Sequence, residues 1–350
     1  MHMADALLAP AVAATMYVAS GTAAGISIHK LKKDDEPRKL PVMAVTAALV
    51  FAGQMINYTI PGTGSSGHMC GGMLLSALLG PQAGFLSMIV ILAIQCLFFA
   101  DGGLMALGAN VWNMAFYGCF VGYYLIWRPI LRGRLFGEGK GAQRARIILA
   151  SILGCVMTLQ LGAFSVVLET SLSGITELPF GAFVALMQPI HLAIGLIEGL
   201  ITTAVLLFVF ESRPELLQDV APAEGASKRS LKAVVAVLAV VALLVGGGLS
   251  LLASSNPDGL EWALFGTADA GYSEHMGLDE EDFGVSSAAA DKAGEIQEKT
   301  SFLPDYAFPE SEAAVGTSVS GVVGSAMVAG VALLLCLVGG FFRKKKEKNA

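Results

Sequence analysis

The first two residues of the chain, Met1 and His2, combine groups that can chelate one transition-metal ion. A free Met1 amine and the His2 backbone nitrogen close a five-membered ring around a metal, and that backbone nitrogen and the imidazole Nδ1 close a six-membered ring. These fused rings favour a nearly planar set of nitrogens, which suits Ni²⁺ or Cu²⁺ better than Zn²⁺. A histidine at position two also occurs by chance, so this interpretation needs support from the rest of the chain.

A second imidazole, that of His68, directly follows a loop containing Gly62, Gly64 and Gly67. Glycines let a backbone approach another segment closely, so this loop can aim His68 inward as a fourth nitrogen ligand. Taken alone, His68 is equally well explained as a polar residue at a membrane boundary. The glycine spacing also matches a dinucleotide-binding fingerprint by letter, but it follows an apolar helix and lacks the strand–turn–helix context that this motif requires.

Four further polar residues are candidates for hydrogen bonding around such a site: Asp101, Asn110, Asn113 and His191. Asn110 and Asn113 are three residues apart and therefore share one face of a helix. Their amides can fix the tautomer of a ligand histidine, or they can hydrogen-bond between helices. The sequence leaves both roles open.

His191 and Glu198 are seven residues apart and lie on one face of a predicted helix. An ionisable pair inside a membrane is costly and is often functional. The pair could surround a metal site, serve as acid and base in an intramembrane enzyme, or lock helices together as a buried pair. We favour the locking role. An HExxH motif or a second inward carboxylate pair would support the enzyme, and neither is present.

The composition indicates an all-α polytopic membrane protein. Hydrophobic residues make up 55% of the 350 residues and charged residues only 14%, which is unusual for a soluble protein. A membrane-spanning helix needs about 20 apolar residues. The candidate segments are 5–28, 41–60, a short segment at 66–80, 82–100, 107–127, 147–169, 187–210, 231–252 and 317–342. The five cysteines lie in apolar stretches and are predicted to be free and buried.

The charges predict the orientation of the chain. Twenty of the 22 Lys and Arg residues fall in four short clusters, at 30–39, 128–146, 213–232 and 343–348. Basic loops stay in the cytoplasm. All four clusters lie on the cytoplasmic side only if the segment 66–80 also crosses the membrane. This arrangement gives nine helices, an extracytoplasmic N-terminus and a cytoplasmic C-terminus, in the plasma membrane.

Two modules are predicted. Residues 1–212 form a seven-helix module, 213–230 a cytoplasmic linker, and 231–350 two helices that bracket an extracytoplasmic loop at 253–316. That loop holds 14 of the 28 acidic residues.

Taken together, several short motifs resemble one family of membrane proteins. Met1-His2, the stretch from Pro61 to His68, Asp101-Gly-Gly with the following asparagines, and His191 to Glu198 are similar to the cobalt/nickel substrate-capture component of energy-coupling-factor transporters (CbiM/NikM type). The resemblance covers about residues 1–212. The segments 255–261 and 303–308 resemble the PDGLE-type motif of the small companion subunit, so the chain looks like a fusion of the two.

The resemblance implies a seven-helix substrate-capture core that binds Ni²⁺ or Co²⁺ as the transported substrate, with no intrinsic cofactor. Met1, His2 and His68 would hold the metal. It also implies a separate transmembrane coupling subunit and two ATP-binding cassette ATPases as partners, with the metal delivered to cobalamin synthesis or to nickel enzymes. The chain contains no GxxxxGK[ST] segment, so it does not bind ATP through a P-loop itself.

Two other classes of function are alternatives to metal capture. One is the intramembrane enzyme built on His191 and Glu198. The other is a partner-organising membrane protein whose acidic loop binds another protein. Membrane lipid is an expected partner in every case, and a nucleic acid is not.

Overall fold

The fold was analysed in a computed structural model, which describes residues 1–31, 39–175, 178–220, 229–266, 287–308 and 313–348. The described chain is helical apart from one small hairpin, which confirms the predicted all-α membrane protein. The acidic run at 279–282, part of the first basic cluster and residues 221–228 of the linker lie outside the described residues.

In the described part of the chain, seven helices precede the linker. They are α1 (Pro10–Leu31), α2 (Lys39–Gln54), α3 (Gly72–Leu79), α4 (Pro81–Phe99), α5 (107–132), α6 (Lys140–Ser173) and α7 (Phe180–Ser212). Helix α5 continues without a break through its middle part, Val111–Trp127, which is wound with i→i+5 hydrogen bonds. Six of the described helices are long and apolar enough to cross a membrane, and Pro41–Gln54 is a shorter apolar helix. The protein is therefore a multi-pass membrane protein.

The predicted helix at 66–80 is only partly correct. Its first residues form strand β2 (Ser65–Gly67), which pairs antiparallel with β1 (Tyr58–Ile60), and helix α3 starts only at Gly72. Eight residues rise about 12 Å, too short for a bilayer core of about 30 Å.

The hairpin and α3 nevertheless carry the chain along the bundle. Helix α3 is buried along its whole length, and residues 69–71 directly before it are buried as well, so the protein covers this irregular backbone, as non-helical backbone inside a membrane requires. The carbonyls of Ala77 and Leu78 at its end accept hydrogen bonds from Gln218 at 2.8 and 3.2 Å. Gln218 follows the end of α7. The end of α3 therefore lies at the end of the bundle that carries Arg213.

Helices α6 and α7 form a tightly packed antiparallel pair. Gly195 and Gly199 of α7 face the backbone of α6 so closely that an added Cβ would come 2.8 Å from Cα of Val156 and 2.7 Å from Cα of Ile152, respectively. Small residues at four-residue spacing permit this approach. The loop after the hairpin is hydrogen-bonded to α7 of this pair.

The last part of the chain packs against the seven-helix module. Helices α8 (Leu231–Gly247) and α11 (Ala313–Lys348) lie against α2. Between them, α9 (Gly259–Phe265) contacts α7 and β2, and α10 (Ala288–Thr300) contacts α4. The described parts of the segment between α8 and α11 therefore lie over one end of the first module, where they meet the N-terminus.

Candidate metal site at the N-terminus

The N-terminal segment is buried in the protein and held by its backbone. Met1 is 6% exposed and Met3 is fully buried. The side-chain amide of Asn110 accepts from the Met3 nitrogen at 2.7 Å and donates to the Met3 oxygen at 3.1 Å. Gly103 donates to the same oxygen at 2.9 Å. A Cβ on Gly103 would overlap Asp5, so the glycine pair after Asp101 leaves room for the incoming N-terminus.

The structure brings the three predicted ligand residues together. The rings of His2 and His68 stack with centroids 5.2 Å apart and an interplanar angle of 25°. His68 Nδ1 lies 3.0 Å from the Met69 carbonyl oxygen, and it must carry a proton to donate there. The lone pair of His68 that is available to a metal is therefore the one on Nε2.

Asp258 of the second module reaches the amine of Met1. The amine donates to Asp258 Oδ2 at 2.8 Å, although the two residues are far apart in the chain. Asp258 is also the N-cap of α9, where its Oδ1 accepts from the backbone nitrogens of Leu260 and Glu261 at 2.7 and 2.9 Å. One carboxylate thus connects the start of the first module to a helix of the second.

Burial and this carboxylate set the charges of the site. Burial alone lowers the pKa of the Met1 amine, but the attraction of Asp258 and its hydrogen bond outweigh this and raise the pKa above 8.0. Burial and the adjacent ammonium lower the pKa of His2 to about 3. Burial and the neighbouring His2 ring lower the pKa of His68 to about 4. At neutral pH the site therefore holds two neutral imidazoles and one ammonium.

Asp101 is the residue that orients His2. His2 Nδ1 lies 3.1 Å from Asp101 Oδ1, and the hydroxyl of Tyr306 donates to Asp101 Oδ2 at 2.5 Å. Burial raises the pKa of Asp101, although the Tyr306 hydrogen bond opposes this. Because Nδ1 of His2 faces Asp101 in this arrangement, a metal bound through Nδ1 has to exchange that hydrogen bond for a metal–nitrogen bond. Nε2 of His2 is buried and has no hydrogen-bond partner in the described structure.

The two asparagines hold the N-terminal peptide instead of a histidine ring. Asn110 binds the Met3 backbone as described above. The Asn113 amide donates to Glu169 Oε2 at 2.8 Å and lies 3.7 Å from the Met3 sulfur. In the described structure these amides are hydrogen-bonded to the Met3 backbone and to Glu169 and not to a histidine ring.

His191 and Glu198 are both buried, but they are not hydrogen-bonded to each other in the described structure. His191 Nδ1 lies 2.8 Å from the Met187 carbonyl oxygen of its own helix, and its Nε2 is buried without a partner. Glu198 accepts from the backbone nitrogens of Cys70 and Gly71. His191 nevertheless lines one small cavity together with Met1, His68 and Asp258.

Sequence reasoning missed Asp258 and Tyr306 as parts of the site. Both lie in the motif-like segments of the second module, and both are polar residues expected on the same side of the membrane as Met1. No group of three or more His, Cys, Asp or Glu side chains within the described ranges is arranged to hold a metal. The candidate ligand set differs because it includes the terminal amine and a backbone nitrogen.

The fold and this site define a class of membrane protein: a helical bundle with a buried N-terminal amine beside two imidazoles at one end. Residues 2–216 match the family model for the cobalt uptake substrate-specific transmembrane region, and residues 232–340 match the PDGLE domain. The chain belongs to this family of cobalt uptake proteins, with a PDGLE domain following in the same chain. It is thus a transport protein and not an enzyme.

Several known proteins are similar to this chain over most of its length. A putative fused nickel transport protein NikMN of Archaeoglobus fulgidus is 34% identical over 94% of this chain and 95% of its own length. The fused nickel transport protein NikMN of Rhodobacter capsulatus is 32% identical over 97% of this chain and 96% of its own. A crystal structure of a truncated transition metal transporter is 31% identical, with a TM-score of 0.52, and covers 60% of this chain and 99% of that structure.

Proposed function

We propose that the chain is the substrate-capture subunit of an energy-coupling-factor transporter that takes up Ni²⁺ or Co²⁺. Residues 1–212 capture the metal, 213–230 form a cytoplasmic linker, and 231–350 form a fused companion module. The metal is bound by the Met1 amine, the His2 backbone nitrogen and imidazole, and His68. Asp101 holds the His2 ring through Nδ1 in this structure and releases that nitrogen when the metal binds there.

The observation that carries this proposal is the burial of the Met1 amine beside the stacked rings of His2 and His68. Burying an ammonium is costly, and so is burying an imidazole without a partner. A site that holds an amine and two neutral imidazoles at one place is costly for stability but suited to a cation that prefers nitrogen ligands.

Nickel is the preferred substrate on the chemistry of the donors. An amine, a backbone nitrogen and two imidazoles favour planar coordination, which suits Ni²⁺ better than Co²⁺. The curated relatives that match nearly the whole chain are named as nickel transport proteins, while a cobalt transport protein CbiM of Sorangium cellulosum is 31% identical over 65% of this chain. Cu²⁺ binds such donors more tightly in the free-ion series, so its exclusion depends on availability.

The energy for uptake has to come from other chains, because this sequence has no P-loop. We therefore propose a transmembrane coupling subunit and two ATP-binding cassette ATPases as partners. The N-terminus and the segment between α8 and α11 face outward, and the C-terminus faces the cytoplasm, in agreement with the basic clusters.

The direct test is to measure the equilibrium binding of Ni²⁺ and Co²⁺ to the purified full-length chain by calorimetry. His2→Ala and His68→Ala should each abolish high-affinity binding, because each removes one nitrogen donor. Glu298→Gln, an exposed position on α10 of the same module as Asp258, is the control and should bind as the unchanged chain does. Unaltered binding in both histidine variants would reject the assignment.

A further inference from the structure

The geometry points to Glu198 as the positioning residue that aims His68 at the metal. Glu198 lies on α7 and is 1% exposed. Its carboxylate accepts hydrogen bonds from the backbone that follows His68. This inference rests on the proposed function, since it assigns a role to Glu198 through a proposed ligand.

The carboxylate of Glu198 binds two consecutive backbone amides. Cys70 N donates to Oε2 at 2.7 Å, and Gly71 N donates to Oε1 at 2.9 Å. Each carboxyl oxygen thus accepts from one amide. The two bonds fix both the position and the direction of this short segment relative to α7.

These amides need an acceptor from outside their own segment. Gly71 is the N-cap of α3, and the first amides of a helix have no partner within the helix. The segment is buried, so water does not reach it freely. A carboxylate near a helix N-terminus also meets the positive end of the helix dipole. Glu198 therefore does from α7 what a capping side chain usually does locally.

The same segment is fixed on its other sides, which leaves Glu198 as the link to α7. The amide of Gln54 donates to the Cys70 oxygen at 2.8 Å. Gly71 has a φ of +84°, and a Cβ there would come 2.3 Å from Val50 Cγ1. On the other side of His68, Ser66 N donates to the Pro257 oxygen at 2.7 Å. His68 thus lies between two anchored segments, and Glu198 binds the one that leads into α3.

A catalytic use of Glu198 with His191 does not fit these contacts. Both Glu198 oxygens are bound to amides, and His191 Nδ1 is directed at the Met187 oxygen. In the described structure neither side chain is hydrogen-bonded to the other, as a proton transfer between them would require.

The test is a double-mutant cycle on the full-length chain in detergent, with Ni²⁺ alone as the probe. Glu198→Gln keeps the shape but offers one oxygen acceptor, and its NH₂ group faces one of the two amide donors. We expect it to weaken Ni²⁺ binding by about 10- to 100-fold, the usual effect of losing a support around a metal ligand. The Ni²⁺ ligand-field absorption should move toward that of the His68→Ala variant, because the imidazole is then misplaced.

The decisive comparison is made in the His68→Ala background. If Glu198 acts through His68, adding Glu198→Gln to His68→Ala should cause no further loss of the residual binding, because coupled residues are not additive. Glu211→Gln, an exchange of the same type near the end of the same helix, is the control and should change neither affinity nor spectrum. Glu198→Asp, which keeps the charge but is one methylene shorter, should give an intermediate loss and serves if Glu198→Gln fails to accumulate.

Two results would overturn the inference. One is full-strength binding with an unchanged spectrum in both Glu198 variants, while His68→Ala remains defective. The other is an equal further loss in the His68→Ala background, which indicates a general structural role. If His68→Ala itself binds Ni²⁺ normally, the proposed metal site fails instead, so the two failures are distinguishable.

Discussion

The amine of Met1 donates a hydrogen bond to the carboxylate of Asp258 at 2.8 Å, which joins the first residue of the chain to the second module. Because Asp258 also caps α9, the second module is tied to the N-terminus by the side chain that begins its helix. Tyr306 of the same module reaches Asp101, the support of His2. The companion module is thus part of the wall of the candidate site.

This ion pair predicts the pH dependence of metal loading. The sequence alone, with ordinary imidazole pKa values of about 6.5, predicts that affinity falls below about pH 6. In the structure both imidazoles have lowered pKa values, about 3 and 4, and are already neutral above pH 5. The pKa of the Met1 amine is raised, so the amine holds a proton that the metal must displace.

Apparent affinity for Ni²⁺ should therefore rise steadily from pH 5 to pH 8, by about tenfold or more per unit as protons are displaced. Calorimetry at a series of pH values measures this slope. In Asp258→Asn the amine loses its counter-charge and its pKa falls, so the profile should move to lower pH. Asparagine still caps a helix well, which keeps α9 intact. A flat profile between pH 5 and 8 would indicate ligation by carboxylates instead.

Close packing of α6 on α7 predicts a loss of stability in Gly195→Ala. The new Cβ would lie 2.8 Å from Cα of Val156, and overpacking of this kind costs about 1–3 kcal/mol. Thermal unfolding in detergent should show a clear decrease in Tm. Gly181→Ala on the same helix has open space around its Cβ and should unfold at an unchanged or slightly higher temperature. Equal Tm values for the two variants would disprove tight packing at Gly195.

The proposed orientation predicts which surface positions are reached from outside the cell. In a background with Cys336→Ser, a cysteine at Glu298 should react with a membrane-impermeant maleimide on intact cells. A cysteine at Glu138, which is exposed in the loop before α6, should react only after the membrane is opened. The four described native cysteines are buried and should give little background. Reversed labelling of the two positions would reject an outward N-terminus.

The sequence predicted the helices well because long apolar segments have few alternatives in a membrane. It also grouped Met1, His2 and His68 correctly at one end. It overestimated the helix at 66–80, because composition does not distinguish a buried hairpin and short helix from a full span. It missed Asp258 and Tyr306, since contacts over 200 residues apart depend on how the modules dock. His191 and Glu198 share a helix face, but their partners are backbone groups that no side-chain pattern reveals.

A metal site built on the Met1 amine is tested most sharply by comparing metal uptake by two tagged forms of the chain. An N-terminal extension converts the Met1 amine into an amide and moves His2 from the second position, which breaks both chelate rings. A tag after Ala350 leaves them intact. At equal abundance in the membrane, the N-terminally extended chain should lose nearly all Ni²⁺ uptake while the C-terminally tagged chain keeps it. Equal uptake by the two forms would contradict a metal site built on the Met1 amine.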